Sequence, residues 1–248
     1  PVNVTGVTVQ HATLHNEVDL VAKDIREGDE VIVTRAGDVI PRVVGPTPEA
    51  VKAAKRAQEP HPPAECPACA TPTQKVGDWT ICPNRRGCPG QRFQHFKHVG
   101  SRGAMDIDGL GEKQVQQFLE WGWFDSLADI YELRTRREEL LEKPGYKETS
   151  VANLLASIEA SKQQPFWRVL FGIGINGIGG VNAKNLARRF GAIDAMRAAT
   201  TDQIAETSGI GPILAENIAE QLAEPEELEL ISRLRDAGLQ MAGEAPGS

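Results

Sequence analysis

Two near-identical stretches decide the fold of this chain, Asn176-Gly177-Ile178-Gly179 and Ser208-Gly209-Ile210-Gly211. A further copy, Asp108-Gly109-Leu110-Gly111, lies earlier, and Pro144-Gly145-Tyr146-Lys147 keeps only the first glycine. Each stretch precedes a segment whose apolar residues recur at helical spacing. Because internal repeats indicate one structural unit used several times, the sequence predicts four helical hairpins.

The glycines of these hairpins point to a ligand. Glycine permits the positive φ of a tight turn, and without a Cβ atom it lets a bulky anion approach the backbone. The following helix then directs its unpaired N–H groups at that anion. One copy is equally well explained as an ordinary helix–helix turn, but four copies could follow the phosphates of a duplex without reading its bases. The predicted backbone contacts to DNA are Gly109, Gly111, Gly145, Lys147, Gly177, Gly179, Gly209 and Gly211.

A competing motif overlaps the third hairpin. Residues 172–177, Gly-Ile-Gly-Ile-Asn-Gly, satisfy the dinucleotide fingerprint G-x-G-x-x-G. That fingerprint must follow a buried strand, whereas the preceding residues 165–171 are interpreted as a helix leading into the hairpin. We therefore predict no dinucleotide site here.

The four cysteines form two close pairs, Cys66-Pro67-Ala68-Cys69 and Cys82-Pro83-Asn84-Arg85-Arg86-Gly87-Cys88. A C-x2-C pair followed by a second close pair is typical of tetrahedral zinc ligation, although the second spacing is less usual. Disulfides are the alternative, but nothing in the sequence indicates a secreted chain. Four thiolates would fill the coordination sphere, so we predict a structural zinc ion bound by Cys66, Cys69, Cys82 and Cys88.

The first part of the chain has a different composition. It is rich in Val, Thr and Ile in alternating stretches, with turns at Gly6, Gly28 and Gly37. This pattern predicts short strands in a small barrel or sandwich. Residues 13–23 are expected to interrupt them as a helix or loop, and residues 46–65 are interpreted as a linker with one short helix.

The overall composition limits the classes of function. With 40% hydrophobic and 25% charged residues among 248, the chain is predicted to be globular and multidomain. No apolar stretch is long enough to span a membrane, so we expect no membrane partner and a cytoplasmic location. A formal net charge of −7 excludes a uniformly basic coat for nucleic acid, but it does not exclude a local basic face.

One stretch is basic although the chain as a whole is negatively charged, because no acidic residue lies between Asp78 and Asp106. Such an island is expected to face a polyanion, and a solvated basic loop is the alternative. We predict DNA contacts by its cations and by a lysine after the first hairpin: Arg85, Arg86, Arg92, Lys97, Arg102 and Lys113.

In this order, a strand-rich module, a four-cysteine module and four helical hairpins resemble the C-terminal half of bacterial NAD-dependent DNA ligases. Residues 12–16 (Ala-Thr-Leu-His-Asn), 24–29 (Asp-Ile-Arg-Glu-Gly-Asp) and 35–41 (Arg-Ala-Gly-Asp-Val-Ile-Pro) are similar to the family's OB-fold signatures. Residues 104–111 are similar to its first helix-hairpin-helix motif. The resemblance implies a small all-β OB barrel, a four-cysteine zinc module and an all-α helix-hairpin-helix domain. We place these three at residues 1–62, 63–92 and 93–245.

The resemblance also implies an activity. These ligases seal single-strand nicks in three steps: a lysine takes AMP from NAD, AMP passes to the 5′-phosphate at the nick, and the 3′-hydroxyl displaces it with Mg²⁺ assisting. The lysine lies in a K-x-D-G motif, which this sequence does not contain. The resemblance therefore implies the DNA-gripping part of a ligase, inactive alone. It would work with the adenylation, NAD-binding and BRCT domains of the same protein on nicked duplex DNA.

The same resemblance assigns the OB module to the minor groove near the nick, with Arg35 and Asp38 as supporting rather than catalytic residues. The second hairpin departs from the family because Lys147 stands where the second glycine is expected, which makes its DNA contact doubtful. A non-enzymatic DNA-structure-binding protein with OB and helix-hairpin-helix modules is the alternative, but it explains neither the cysteines nor residues 35–41. An excision-nuclease module would need a carboxylate cluster for Mg²⁺, which the sequence does not show.

Overall fold

The computed structural model describes residues 2–4, 6–36 and 40–243. They divide into two compact units, residues 1–90 and 91–248, and each unit is described by itself. Within the described residues, no helix combines the length and the apolarity needed to cross a membrane.

The described residues of the first unit form three small antiparallel hairpins and two short helices. Its elements are β1 (Val2–Val4), β2 (Val7–Val9), α1 (Glu17–Ala22), β3 (Val31–Ala36), β4 (Ile40–Pro46), α2 (Pro48–Val51), β5 (Gln74–Val76) and β6 (Trp79–Ile81). The sheets pair β1 with β2, β3 with β4, and β5 with β6. The interruption expected at residues 13–23, as a helix or a loop, contains the helix α1, and the short helix predicted in the linker is present as α2.

The predicted closed barrel is not observed in the described part of this unit. Its strands form separate two-stranded sheets, and β1 lies near β3 without a backbone ladder between them. Two physical features explain this result. Strands of three residues offer few groups for pairing with a second neighbour, and the β3–β4 register shifts between Ile32 and Val33.

Within the first unit, an arginine anchors the linker to the segment between α1 and β3. The Arg56 guanidinium donates two hydrogen bonds to the Asp29 carboxylate, at 3.0 and 2.7 Å, and further bonds to Asp24. These bonds lower the pKa of Asp29. Because Arg56 and Asp29 are both nearly buried, the linker is held in place there rather than left as a free connection.

The described part of the second unit is built from helices, with a single isolated bridge between Ala192 and Ala242. Its helices are α3 (Pro89–Gly100), α4 (Glu112–Glu120), α5 (Asp129–Glu132), a 3₁₀ turn (Leu133–Arg136), α6 (Arg137–Leu141), α7 (Glu148–Ser161), α8 (Phe166–Ile173), α9 (Gly180–Phe190), α10 (Ile193–Ala198), α11 (Thr201–Ala205), α12 (Pro212–Ala223) and α13 (Pro225–Asp236). The helices expected from apolar spacing correspond to α4, α7, α9 and α12, so the helical interpretation is confirmed.

One continuous apolar core holds these helices together. It runs from Phe96 on α3 to Met241 beyond α13 and contains fully buried aromatic side chains such as Phe118 and Phe166. Phe96 stacks on Phe124 with ring centroids 4.8 Å apart. Burial on this scale is the main source of stability for the second unit.

The segment before the third hairpin is helical, as predicted. Pro165 is the N-cap of α8, residues 166–171 belong to this helix rather than to a strand, and the helix ends at Gly174 with a left-handed φ of 76°. A Cβ atom at Gly174 would lie 2.5 Å from His95 Nε2. This glycine therefore terminates a helix against a neighbouring ring.

Candidate nucleic-acid interface

All four hairpin tips share one backbone geometry. In each, an N–H donates to the carbonyl three residues earlier: Leu110 to Ile107 at 3.2 Å, Tyr146 to Lys143 at 3.2 Å, Ile178 to Ile175 at 3.1 Å and Ile210 to Thr207 at 3.0 Å. The third residue of each turn is a glycine in the left-handed region, with φ of 86°, 89°, 79° and 84° at Gly109, Gly145, Gly177 and Gly209. This is the requirement of a type II turn, so the first glycine of each repeat serves the turn itself.

The second glycine of each repeat has a different role. Gly111, Gly179 and Gly211 are the N-cap residues of α4, α9 and α12, and their φ angles of −84°, −82° and −85° suit any residue. A Cβ atom at Gly179 or Gly211 would meet no atom within 4 Å. The protein's own packing therefore does not require glycine at these two positions.

The tips present their glycines to solvent and bury the apolar residues beside them. Gly177 and Gly179 are exposed, whereas Ile175 and Ile178 are buried in the core. The N-caps of α4, α9 and α12 make no side-chain capping bond. We call the exposed pairs Gly109/Gly111, Gly177/Gly179 and Gly209/Gly211 the glycine corners.

Side chains from neighbouring helices hold two of the glycine corners in place. Asp108 N–H donates to Ser157 Oγ on α7 at 2.7 Å, and Asn176 N–H donates to Gln221 Oε1 on α12 at 3.1 Å. Sequence reasoning missed Ser157 and Gln221. The signal that could have found them is their register, because each lies at the same distance along the chain from the N-cap of its helix.

The third and fourth hairpins also pack reciprocally. A Cβ atom on Gly177 would lie 2.6 Å from Leu214 Cδ1, and one on Gly209 would lie 2.7 Å from Asn182 Oδ1. Leu214 and Asn182 occupy matching positions in the first turns of α12 and α9. Each of these tips is therefore fitted against the helix of the other.

The second hairpin closes on itself instead. Lys147 N–H donates to Ser150 Oγ at 3.0 Å, and the Ser150 hydroxyl donates to the Lys147 carbonyl at 2.9 Å. The amide that corresponds to the second glycine is thus already bonded. This finding agrees with the sequence-based doubt about Gly145 and Lys147 as DNA contacts.

Several of the predicted basic contacts are engaged within the protein. Arg92 donates to the Phe124 carbonyl at 2.7 Å and lies 3.0 Å from Asp125, while Lys97 pairs with Glu112 at 2.9 Å. Arg92 therefore contributes to the packing of the second unit, and Lys97 is partly neutralised.

The remaining predicted cations lie in both units. Arg102 and Lys113 are exposed in the second unit, and Arg85 and Arg86 lie in the cysteine segment of the first unit, where Arg85 is half-buried. Of the predicted OB-module residues, Asp38 and the side chain of Arg35 lie outside the described part of the chain.

The four cysteines come together in the first unit. Their sulfur atoms all lie within 4.8 Å of one another, with Cys66 Sγ 3.8 Å from Cys88 Sγ and Cys69 Sγ 3.6 Å from Cys82 Sγ. A disulfide would bring two sulfurs to about 2.05 Å, so the cysteines are free thiols. A tetrahedral zinc ion with Zn–S distances of about 2.3 Å would place its sulfurs roughly 3.8 Å apart, which the cluster fits.

The backbone of the first cysteine pair forms a tight knuckle. The N–H groups of Cys69 and Ala70 donate to the Cys66 carbonyl at 3.3 and 2.8 Å. Ala70 lies in the left-handed region with φ of 56°. A hydrogen bond with Thr71 lowers the pKa of the Cys69 thiol to about 6, while burial raises the pKa of Cys82 to about 11.

The cysteine segment is joined to α1 by polar contacts. The Glu17 carboxylate accepts from Thr80 Oγ1 at 2.6 Å and lies 2.9 Å from Lys75 Nζ. These hydrogen bonds, chiefly that from Lys75, lower the pKa of Glu17. Glu17 thus links β5 and β6 to the helix that precedes β3.

Comparison with known proteins places these features in a family context. Residues 1–55 match the NAD-dependent DNA ligase OB-fold domain, and residues 168–231 match the helix-hairpin-helix motif. The second match covers α8 to α12 and therefore the third and fourth hairpins.

Curated relatives match nearly the whole chain. The chain is 44% identical over 248 residues to a DNA ligase of Roseiflexus castenholzii, with 99% of this chain and 34% of the relative covered. It is 46% identical over 244 residues to a DNA ligase of Roseiflexus sp., covering 96% and 33%, and 42% identical over 242 residues to one of Gemmatimonas aurantiaca, covering 96% and 34%. The chain spans about a third of the length of these relatives.

Proposed function

Because this chain belongs to the NAD-dependent DNA ligase family over the length that it spans, we propose that it grips nicked duplex DNA for a nick-sealing ligase. The exposed, uncapped glycine corners carry this proposal. No N-cap side chain competes for the amides of the first turn, so these amides can bind phosphate oxygens, and their helices add the positive end of a dipole.

The shape of the glycine corners supports a bulky anion as their ligand. The space in front of Gly179 and Gly211 is open, so a sugar–phosphate backbone can approach the main chain closely. Phosphate contacts carry no sequence information, and a ligase must act at nicks of any sequence. Binding of this kind suits that task.

The cysteine cluster supports a structural zinc ion as part of this function. Cys66, Cys69, Cys82 and Cys88 would hold it, and four thiolates would leave no position for a reactive water. The ion would staple a segment that has little apolar core of its own.

The first unit is proposed to lie in the minor groove beside the nick, with Arg35 and Asp38 supporting the 5′-phosphate. The parent enzyme would take AMP from NAD and would use Mg²⁺, through adenylation and NAD-binding domains that work with this chain. A BRCT domain is expected in the same protein. These assignments rest on family membership and on the match of residues 1–55.

A binding titration tests the proposal. Fluorescence anisotropy with a labelled nicked duplex, at about 50 and about 200 mM salt, should show affinity that falls with salt and does not depend on sequence. A four-way junction of the same composition is the competing ligand. Preference for the junction would favour a DNA-structure-binding protein, and absence of duplex binding would refute the proposal.

A complementation assay tests the link to ligation. The chain is mixed with the separately prepared remaining part of the Roseiflexus castenholzii ligase, together with NAD, Mg²⁺ and a nicked duplex. Nick closure should require both polypeptides. Closure that is equally fast without this chain would contradict the proposed role.

A further inference from the structure

Two aliphatic side chains beside the glycine corners are largely exposed to solvent. Val181 is 72% exposed and Ile213 is 78% exposed, whereas the other exposed large hydrophobics among the described residues range from 39% to 55%. Both occupy the second position of a helix, Val181 in α9 and Ile213 in α12. Their exposure is thus repeated at one structural position.

Folding of the chain gives no reason for these residues. Neither packs into the core, and β-branched side chains are slightly unfavourable in helices. The corresponding position is Lys113 in α4 and Thr149 in α7, so a polar residue is compatible with the same hairpin geometry. Single exposed apolar side chains are common on protein surfaces, but this pair recurs at one structural position beside the glycine corners, and that repetition indicates a ligand with apolar surface.

The third and fourth hairpins also differ from the first two in the charge of the helix turn that follows each tip. The first turns of α4 and α7 carry Glu112 and Glu148, which pair with Lys97 and Arg137. The first turns of α9 and α12 contain no acidic residue. A carboxylate beside a helix N-terminus satisfies its dipole and repels phosphate, so the third and fourth hairpins offer the more favourable anion sites.

We propose that Val181 and Ile213 contact deoxyribose and base edges in the minor groove of duplex DNA, flanking phosphates held by the third and fourth glycine corners. The inference rests on the proposed function and deepens it by naming the hairpin pair that grips the duplex. Both side chains directly follow the glycine corners in the sequence, and the third and fourth hairpins pack against each other. Val181 and Ile213 therefore belong to the same pair of hairpins. Apolar side chains are a known means of contact in the minor groove.

The test is a titration of nicked duplex with the double variant Val181→Ser, Ile213→Ser. Both residues are exposed, so the fold should be retained, and unfolding curves check this point. Affinity should fall about five- to thirtyfold, because apolar contact area is lost. The slope of log Kd against log salt should stay unchanged, since no phosphate contact is removed.

A matched control is Thr149→Ser, at the same helix position of the second hairpin. It should leave affinity within about twofold of the wild type. If the wild type binds duplex and the double variant binds equally well, the inference is wrong while the proposed function stands. If the wild type does not bind duplex at all, the proposed function fails. A steeper or shallower salt slope in the double variant would mean that the side chains act through phosphate contacts, and it would overturn the apolar assignment.

Discussion

At the scale of the residue, the two glycines of each corner obey different constraints. Gly177 needs its left-handed φ and also fits tightly against Leu214, so the fold demands it. Gly179 has an ordinary backbone conformation and open space in front of it. Stability and DNA binding should therefore be separable by substitution at adjacent positions of one turn.

Gly179→Ser tests this separation. Serine is a better N-cap than glycine, so the substitution should stabilise α9 by a few tenths of a kcal/mol. The serine hydroxyl would accept a hydrogen bond from a backbone N–H of the first turn, and it would fill the space in front of the corner. Affinity for nicked duplex should therefore fall by about tenfold. Thermal unfolding and anisotropy titration measure the two effects. A variant that gains stability and keeps full affinity would show that this corner does not touch DNA.

Gly177→Ala is the opposite case. It should destabilise the second unit by about 2 kcal/mol, because alanine is strained at a φ of 79° and its Cβ atom would lie 2.6 Å from Leu214 Cδ1. Chemical denaturation measures the loss. An unchanged unfolding midpoint would contradict the turn geometry described above.

Ala70 also has a positive φ, a conformation that glycine adopts more easily than alanine. It adopts a φ of 56° in the first cysteine knuckle, where its N–H donates to the Cys66 carbonyl at 2.8 Å. Ala70→Gly should therefore stabilise the first unit by about 0.5–1 kcal/mol. The measurement is the unfolding midpoint in the presence of zinc. Ala64→Gly, in the same segment but without a positive φ, is the control and should lower the midpoint.

At the scale of the element, α9 and α12 follow two copies of the same hairpin, but they carry charges of opposite sign at the same helix position. Lys184 and Glu216 hold matching positions in the two helices, and both are exposed. Glu216 is the fifth residue of α12 and lies beyond its first turn, so it weakens the anion site of the fourth hairpin without occupying the corner itself. The third hairpin has a cation at that place.

Glu216→Lys should consequently strengthen binding to nicked duplex about threefold or more at low salt. The salt slope should steepen by up to about one, because one additional cation neutralises a phosphate. Lys184→Glu is the reciprocal variant and should weaken binding by a similar factor. If neither variant changes affinity or slope, this face of the two helices lies away from the DNA.

Particular elements show how far the sequence could predict this structure. The hairpin tips were predictable because a type II turn depends on local residues, glycine at its third position and, in Pro144-Gly145, proline before it. The sequence predicted a closed barrel, and the structure shows separate two-stranded sheets instead. Local sequence could not reveal this, since the pairing of three-residue strands depends on neighbours distant in the chain. Arg92 is a similar case, because its partners Phe124 and Asp125 are not apparent from local sequence.

The candidate site was predicted in its backbone and missed in its side chains. Repetition identified the glycine corners, and spacing identified the cysteines, which the structure brings together. Val181 and Ile213 escaped notice because apolar residues near a helix start are ordinarily assigned to the core. Only their exposure in the structure separates them from the buried residues of the same helices.

At the scale of the whole molecule, the two units draw stability from different sources. Among described residues of the first unit, only Ile25, Val43 and Cys88 are buried hydrophobics, whereas the second unit has a large continuous core. A small unit with so little core needs a staple, and the four-cysteine cluster is suited to supply it. Unfolding should therefore occur in two separable steps.

Zinc removal should affect one of these steps. One zinc ion per chain is expected after dialysis, and a strong chelator should melt the cysteine segment while the second unit keeps its unfolding temperature. Tryptophan fluorescence can resolve the two, because Trp79 lies in the first unit and Trp121, Trp123 and Trp167 lie in the second. The Trp79→Phe variant reports on the second unit alone, and its difference from the wild type reports on the first.

Cys82→Ser should reproduce the effect of the chelator, and it should change only the fluorescence signal of the first unit. A preparation that stays folded in both signals with far less than one zinc per chain would show that the cysteines hold the unit together without a metal.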